Sequence, residues 1–182
     1  MRKILAFSVV ATCVVITGCA SPAQVSNMKA TTFHEQRTEP NALQANLYVS
    51  EITGGKGTNP LWTSQVSNSD FRQALEASLA SAGMLASGSE GQYLLRAHLD
   101  GLRQPLFGAS MTVSSKIHYV ILDRQTNKTV FERTIDLPYT AAFSDAFAGV
   151  TRLRLANEGA IRVNIQALIK DLIELDIAQV AL

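Results

Sequence analysis

Three groups of side chains in this 182-residue chain have types and spacings that could do chemistry. The first is a thiol, Cys19, which follows Thr17-Gly18 at the end of an apolar run. The second is a pair of imidazoles, His98 and His118, in segments that also carry Arg96, Asp100, Lys116, Glu132 and Asp136. The third is Arg152-Leu153-Arg154 with Glu158, preceded by two phenylalanines, Phe143 and Phe147. A thiol can act as a nucleophile or carry a covalent group. Imidazoles beside carboxylates can bind a metal or move protons. A guanidinium cluster can hold an anion, dock a partner or neutralise a buried carboxylate.

The second and third groups also have plainer readings. His98 and His118 fall on the polar alternate positions of their segments, together with charges of both signs. The solvated face of an antiparallel sheet demands such a composition in any case. They stand as metal candidates against that reading. Arg154 and Asn157, on a continuous helix, share a stripe with Phe147, Val150 and Ile161. A charge on an apolar stripe is costly unless paired, and Glu158 is four residues on, within reach. Three uses therefore remain open: an internal ion pair that fixes the last helix, a docking patch with Phe143 and Phe147 as anchors, or an arginine cluster for an anionic headgroup or phosphate. The chain contains no Gly-x-Ser-x-Gly, no His-Glu-x-x-His and no phosphate loop. Gly54-Gly55-Lys56-Gly57-Thr58 lacks the required spacing and opens no helix. The reading is of a non-enzyme with no cofactor, and a hydrolase is the least favoured alternative.

The elements that must position these groups follow from periodicity. Residues 42–52 alternate Leu43, Ala45, Leu47 and Val49 against polar residues, as a half-buried strand does. Residues 53–66 hold Gly54, Gly55, Gly57 and Pro60 and read as a loop, with Trp62 as a lid on the core. Phe71, Ala74, Leu75, Ser78, Leu79 and Ala82 make the stripe of a helix over 68–82, with Ser67 and Asp70 capping its start and Gly83 stopping it. Strands are expected over 92–102, 109–123 and 129–137, the last two forming a hairpin. From about Ser144 to Ile177 the pattern is helical, with Ile161, Ile165, Leu168, Leu172 and Leu175 in register. The order βαβββα predicts an α+β two-layer sandwich: a mainly antiparallel four-stranded sheet with two helices on one face.

Arg2 and Lys3, the apolar run Ile4–Ile16 and the small residues before Cys19 are the physical marks of a secretory signal. The run falls short of the roughly 20 residues of a membrane span. Domain limits are read as 1–18 signal peptide, 19–41 lipid-bearing Cys and polar tether, and 42–182 a single α+β domain. His34 lies in the tether and reads as a solvated residue. Cys13 would leave with the signal, so Cys19 would be the last thiol and no disulfide could form. The formal charge of +1 becomes −1 when Arg2 and Lys3 are removed, which gives no case for nucleic acid. At 47% hydrophobic the chain has material for one core.

Ile16-Thr17-Gly18-Cys19 resembles the lipobox of bacterial lipoproteins, with Ile where a Leu-like residue is usual. The resemblance implies a diacylglyceryl group on the Cys19 sulfur, cleavage before Cys19 and acylation of the new amine, as with palmitate. Ala20 at the following position, where Asp would retain the protein in the inner membrane, implies the outer membrane with the domain facing the periplasm. Phe71-Arg72-Gln73-Ala74-Leu75-Glu76-Ala77-Ser78-Leu79, then Gly83 and Tyr93-Leu94-Leu95-Arg96-Ala97, resembles the helix-to-strand pattern of the lipopolysaccharide-assembly, YajG-like and ABC-transport auxiliary lipoproteins. That implies an accessory role: a binding or scaffold subunit in envelope assembly or transport, joined to the membrane by its lipid and to an envelope protein partner. The alternative is a lipoprotein that binds a lipid headgroup or glycan fragment. The sequence leaves the oligomeric state open.

Overall fold

The computed structural model describes residues 20–31, 42–59 and 64–175. Cys19, the signal segment, His34 and Trp62 lie outside the described residues. The elements, in chain order, are α1 (Val25–Met28), β1 (Leu47–Thr53), α2 (Asn68–Ser81), β2 (Tyr93–Arg103), β3 (Met111–Asp123), β4 (Thr129–Ala141), a 3-10 turn (Phe143–Asp145) and α3 (Gly149–Glu174). The strands form one sheet in the order β1-β2-β3-β4. This is the expected α+β sandwich, with β1 parallel to β2 and the remaining pairs antiparallel. A parallel neighbour requires a crossover, and α2 supplies it.

The helix limits follow local chemistry. Ser67 Oγ accepts the Asp70 N–H at 3.1 Å, and Gly83 at φ +70° closes the far end of α2 in a left-handed conformation. β1 begins at Leu47 rather than at 42. Ala45 sits at φ +54° and the Asn46 N–H bonds back to the Leu43 carbonyl at 3.1 Å. The apparent alternation over 42–46 is therefore a turn, which buries Leu43 and Leu47 on the same side. β4 runs on to Ala141, past Pro138. A proline cannot donate to a ladder, but β4 is an edge strand and Pro138 faces only Ser114 of β3. α3 accordingly starts at Gly149, not near Ser144.

The inward-facing positions of the sheet, among them Val49, Leu95, Ile117 and Ile121, pack against Phe71, Leu75 and Leu79 of α2 and against Ile161, Ile165 and Leu168 of α3. A smaller cluster of Met111, Val113, Ala141, Leu153, Ala156 and Ala160 fills the end of the sheet where β2 stops and β3 starts. Tyr119 is fully buried in the main core. Burial pushes its phenol well above the usual tyrosine range, so it stays neutral and donates to Asn164 Oδ1 at 2.9 Å. The Asn164 amide donates in turn to the Ser115 and Ile135 carbonyls, each at 3.0 Å, and so pins α3 to β3 and β4.

One expectation is corrected here. Within the 19–41 stretch read as a tether, residues 20–31 are packed on the domain. Ala20, Ala23, Met28 and Ala30 are buried, and Met28 enters the main core. Four small or flexible apolar side chains, Met28 on the one-turn helix and three alanines flanking it, suffice to seat the segment, although they are too few to create a periodic pattern. Among the described residues, no helix is long and apolar enough to cross a membrane.

Candidate functional site

The third group of residues is the one the fold brings together most fully. Glu158 is almost completely buried in the middle of α3. Its Oε1 accepts the backbone N–H of Gln24 at 2.7 Å and its Oε2 accepts Asn27 Nδ2 at 2.8 Å. Arg154 Nε lies 3.6 Å from Oε1, one helical turn away. Arg162, one turn further on, donates from Nη1 to the Asn27 carbonyl at 2.6 Å and lies 5.3 Å above the Tyr139 ring. The charged stripe on α3 is thus a clamp on the N-terminal segment. Two of its members present opposite charges, so the buried carboxylate is both paired and hydrogen-bonded, as burial of a charge requires.

A neighbouring polar group works in the same direction. Asn157, fully buried, donates to the Ser64 carbonyl at 2.8 Å. Gln104 Nε2, just beyond β2, reaches both that carbonyl at 3.0 Å and Asn157 Oδ1 at 2.9 Å. The Ala23 N–H meets the Gln65 carbonyl at 3.5 Å, and the Ala30 N–H donates to Ser78 Oγ at 2.9 Å. From Ala23 to Ala30 the segment therefore follows α2 from its capped start towards its end, with α3 on its other side.

Arg152 does something different from Arg154. It is buried, and its Nη1 donates to the Ala146 and Phe147 carbonyls at 2.6 and 2.8 Å while its guanidinium lies 4.8 Å from the Phe143 ring centre. Phe143 and Phe147 meet edge to face at 5.9 Å. Arg152 holds the turn that presents these two rings, which stay exposed along with Leu106 and Phe107 of the β2–β3 loop.

His98 and His118 stand directly opposite each other on the uncovered face of the sheet. Each ring is already engaged. His98 Nδ1 is 2.8 Å from Thr53 Oγ1 and its Nε2 is 3.6 Å from Asp100; His118 Nδ1 is 3.0 Å from Thr134 Oγ1 and its Nε2 is 3.4 Å from Glu132. Arg96 pairs with Glu51, Lys116 with Asp100 and Arg103 with Asp136 on the same face. A cavity of about 190 Å³ between Glu51, Thr53, Arg96, His98 and His118 is open and shallow. Thr53, His98 and Asp100 sit in the order nucleophile, base, carboxylate. Over Tyr93–His98, however, β2 is paired on both sides, so the backbone N–H groups there are used by the ladders. Among the described residues, no group of three or more His, Cys, Asp or Glu could hold a metal ion.

Sequence reasoning placed Arg154 and Glu158 together. It placed Asn157 on the apolar stripe without naming its partners, and it missed Asn164, Gln104 and what the pair holds. Asn164 falls three residues after Ile161 and four before Leu168, on the apolar stripe, and that position was the signal available.

The sequence matches no protein-family model and no curated protein. Solved structures do resemble it. A Caulobacter crescentus protein assigned as a lipoprotein has 16% identity and a TM-score of 0.50, covering 73% of this chain and 90% of its own. A Xanthomonas campestris protein of family DUF330 has 13% identity and a TM-score of 0.51, covering 80% of this chain and 94% of its own. A minor lipoprotein of Acinetobacter baumannii has 15% identity and a TM-score of 0.46, covering 68% and 92%. At such identities the likeness is one of fold: this chain carries the α+β fold seen in the Caulobacter and Xanthomonas proteins.

Proposed function

We propose that the chain is a lipid-anchored accessory protein of the bacterial envelope, acylated on Cys19, placed on the outer membrane with its domain facing the periplasm, and acting as a binding or scaffold subunit in envelope assembly or transport. The observation that carries this reading is the seating of residues 20–31 between α2 and α3 through Glu158, Asn27 and Arg162. Cys19 is one peptide bond before this seated segment. A lipid there joins the membrane to a rigid body and not to a loose string, so the domain keeps one orientation relative to the bilayer. Fixed orientation serves a subunit that must meet a partner on one side. Acylation at two positions anchors stably, whereas one chain binds only marginally. The Caulobacter neighbour's designation as a lipoprotein supports the same reading.

The uncovered sheet face, with its paired charges and open edge, is the surface this orientation leaves for a partner. Photocrosslinking residues placed at Lys116 and Thr134 on that face, and at Gln166 on α3, test it in native membranes. The scaffold reading expects one discrete adduct from the sheet-face positions and none from Gln166. Absence of adducts at every position, with a small molecule retained on the purified protein, contradicts it in favour of the ligand-binding alternative.

A further inference from the structure

We infer that the apolar tip formed by Leu106, Phe107, Phe143 and Phe147 is a membrane contact, dipping into the lipid interface beside the acyl chains of Cys19. The inference rests on the lipoprotein reading above and adds a second, non-covalent contact to it.

Large apolar side chains scattered singly on a surface need no explanation, but several gathered at one end do. Leu106 is 95% exposed, Phe107 86%, Phe147 88% and Phe143 51%, while every other large apolar side chain among the described residues is more covered. Two loops bring the four together. The β2–β3 loop carries Leu106 and Phe107 and leads into Met111. Met111 pairs with Ala141, two residues before Phe143. Both loops therefore leave the same end of the sheet.

Their composition fits an interface. Gln104 to Ser110 holds no charged residue, and Ala142 to Ala148 holds one, Asp145. The Asp145 carboxylate accepts the Ala142 N–H at 2.8 Å and so closes the turn it sits in. Arg152 braces the phenylalanine turn from below through two carbonyls and the Phe143 ring. The aromatic pair is thus presented on a fixed scaffold at little cost in side-chain entropy. Rigid, outward-pointing Phe and Leu are the side chains that lie at the headgroup and acyl boundary.

The place where the chain leaves the domain names the occupant. The Ala23 N–H meets the Gln65 carbonyl at 3.5 Å. The adjacent Ser64 carbonyl accepts Gln104 Nε2 at 3.0 Å, and Gln104 is two residues before Leu106. Between Gln24 and Asn27 the segment advances along α3 from Glu158 to Arg162, so its beginning points back towards the Gly149 end, where Phe147 lies. Ala20, next to Cys19, belongs to that beginning. The first described residues of the chain, which follow Cys19 in sequence, and the apolar tip are at the same end of the domain, which makes the bilayer the surface that meets the tip.

The test uses the full chain, processed and purified from membranes, in vesicles of phosphatidylethanolamine and phosphatidylglycerol. Phe107→Cys and Phe147→Cys are labelled with an environment-sensitive fluorophore. Gln125→Cys, in the β3–β4 turn at the opposite end, is the control. Doxyl-labelled lipid should quench the two tip probes about twofold or more beyond the control, with a blue-shifted emission. Equal quenching at all three positions overturns the contact. So does a blue shift without lipid quenching that fades when labelled protein is diluted with unlabelled protein, because a second copy then covers the tip. The intact mass of the same preparation reports acylation of Cys19 separately. An acylated protein with unquenched tip probes removes the contact alone, whereas an unacylated protein removes the anchor reading and the contact together.

Discussion

Replacing Glu158 with alanine is expected to release the N-terminal segment from the domain and to lower stability by about 2–4 kcal/mol. Removing one partner of a buried ion pair costs about 3–5 kcal/mol when the other is left without water. Here Arg154 keeps 21% of its side chain exposed and can be partly rehydrated, which lowers the figure. The Gln24 N–H loses its acceptor and Asn27 Nδ2 keeps only Gln24 Oε1 at 3.3 Å, a contact within the segment itself, so neither donor still ties the segment to α3 at that point and it lets go. The diagnostic signal is local. Tryptic cleavage after Lys29 should accelerate about tenfold or more, as expected when a local opening free energy falls by more than about 1.4 kcal/mol. Amide exchange in β3 should change far less. Glu158→Gln keeps one acceptor and should lie between. A uniform loss of protection across the sheet, without preferential cleavage at Lys29, would mean that Glu158 supports the core and does not act as a clamp.

The second large effect is expected at Asn164. Replacing it with alanine leaves the Tyr119 hydroxyl and the Ser115 and Ile135 carbonyls short of a buried partner. Each unsatisfied group costs about 1–3 kcal/mol. Allowing for relaxation, a total of about 4 kcal/mol follows, or a fall in Tm of about 10–15 °C for a domain of this size. Tyr119→Phe removes the hydroxyl and leaves Asn164 its carbonyl partners, so it should cost about 1 kcal/mol. A Tm within about 3 °C of wild type for Asn164→Ala would show that the network is not what fixes α3 to the sheet.

Much of this arrangement is written in the sequence. Alternation along β2 and β3 and the stripe from Ile161 to Leu175 each bury one face of a regular element, and such patterns survive folding. The misread boundaries share a cause. Residues 42–46 alternate but turn, because Ala45 takes a left-handed conformation that no period reveals. β4 passes through Pro138 because an edge strand has one side free, a fact that exists only once the sheet order is known. Residues 20–31 look like a linker because they pack through Met28 and small alanines, and their fit is decided by Glu158, more than a hundred residues away. The candidate site was legible as an Arg154–Glu158 pair. Its purpose was not, since the groups it holds are the backbone and side chain of a segment with no pattern of its own. The contrast between Arg152 and Arg154 was also hidden: at a spacing of two they face different directions on α3, one bracing the Phe143–Phe147 turn and the other meeting the clamp.

The membrane contact of the tip and the scaffold reading both depend on the lipid at Cys19, and that is what most needs to be measured. Mass spectrometry of the N-terminal peptide from protein extracted with the membrane fraction is the direct test. The account predicts a chain that begins at Cys19 and carries a diacylglyceryl group on sulfur and an acyl group on the amine. It also predicts that Cys19→Ser gives no such peptide and releases the protein from the membrane. A mature chain with a free Cys19 thiol, or a Cys19→Ser protein that is processed normally and stays membrane-bound, would contradict it.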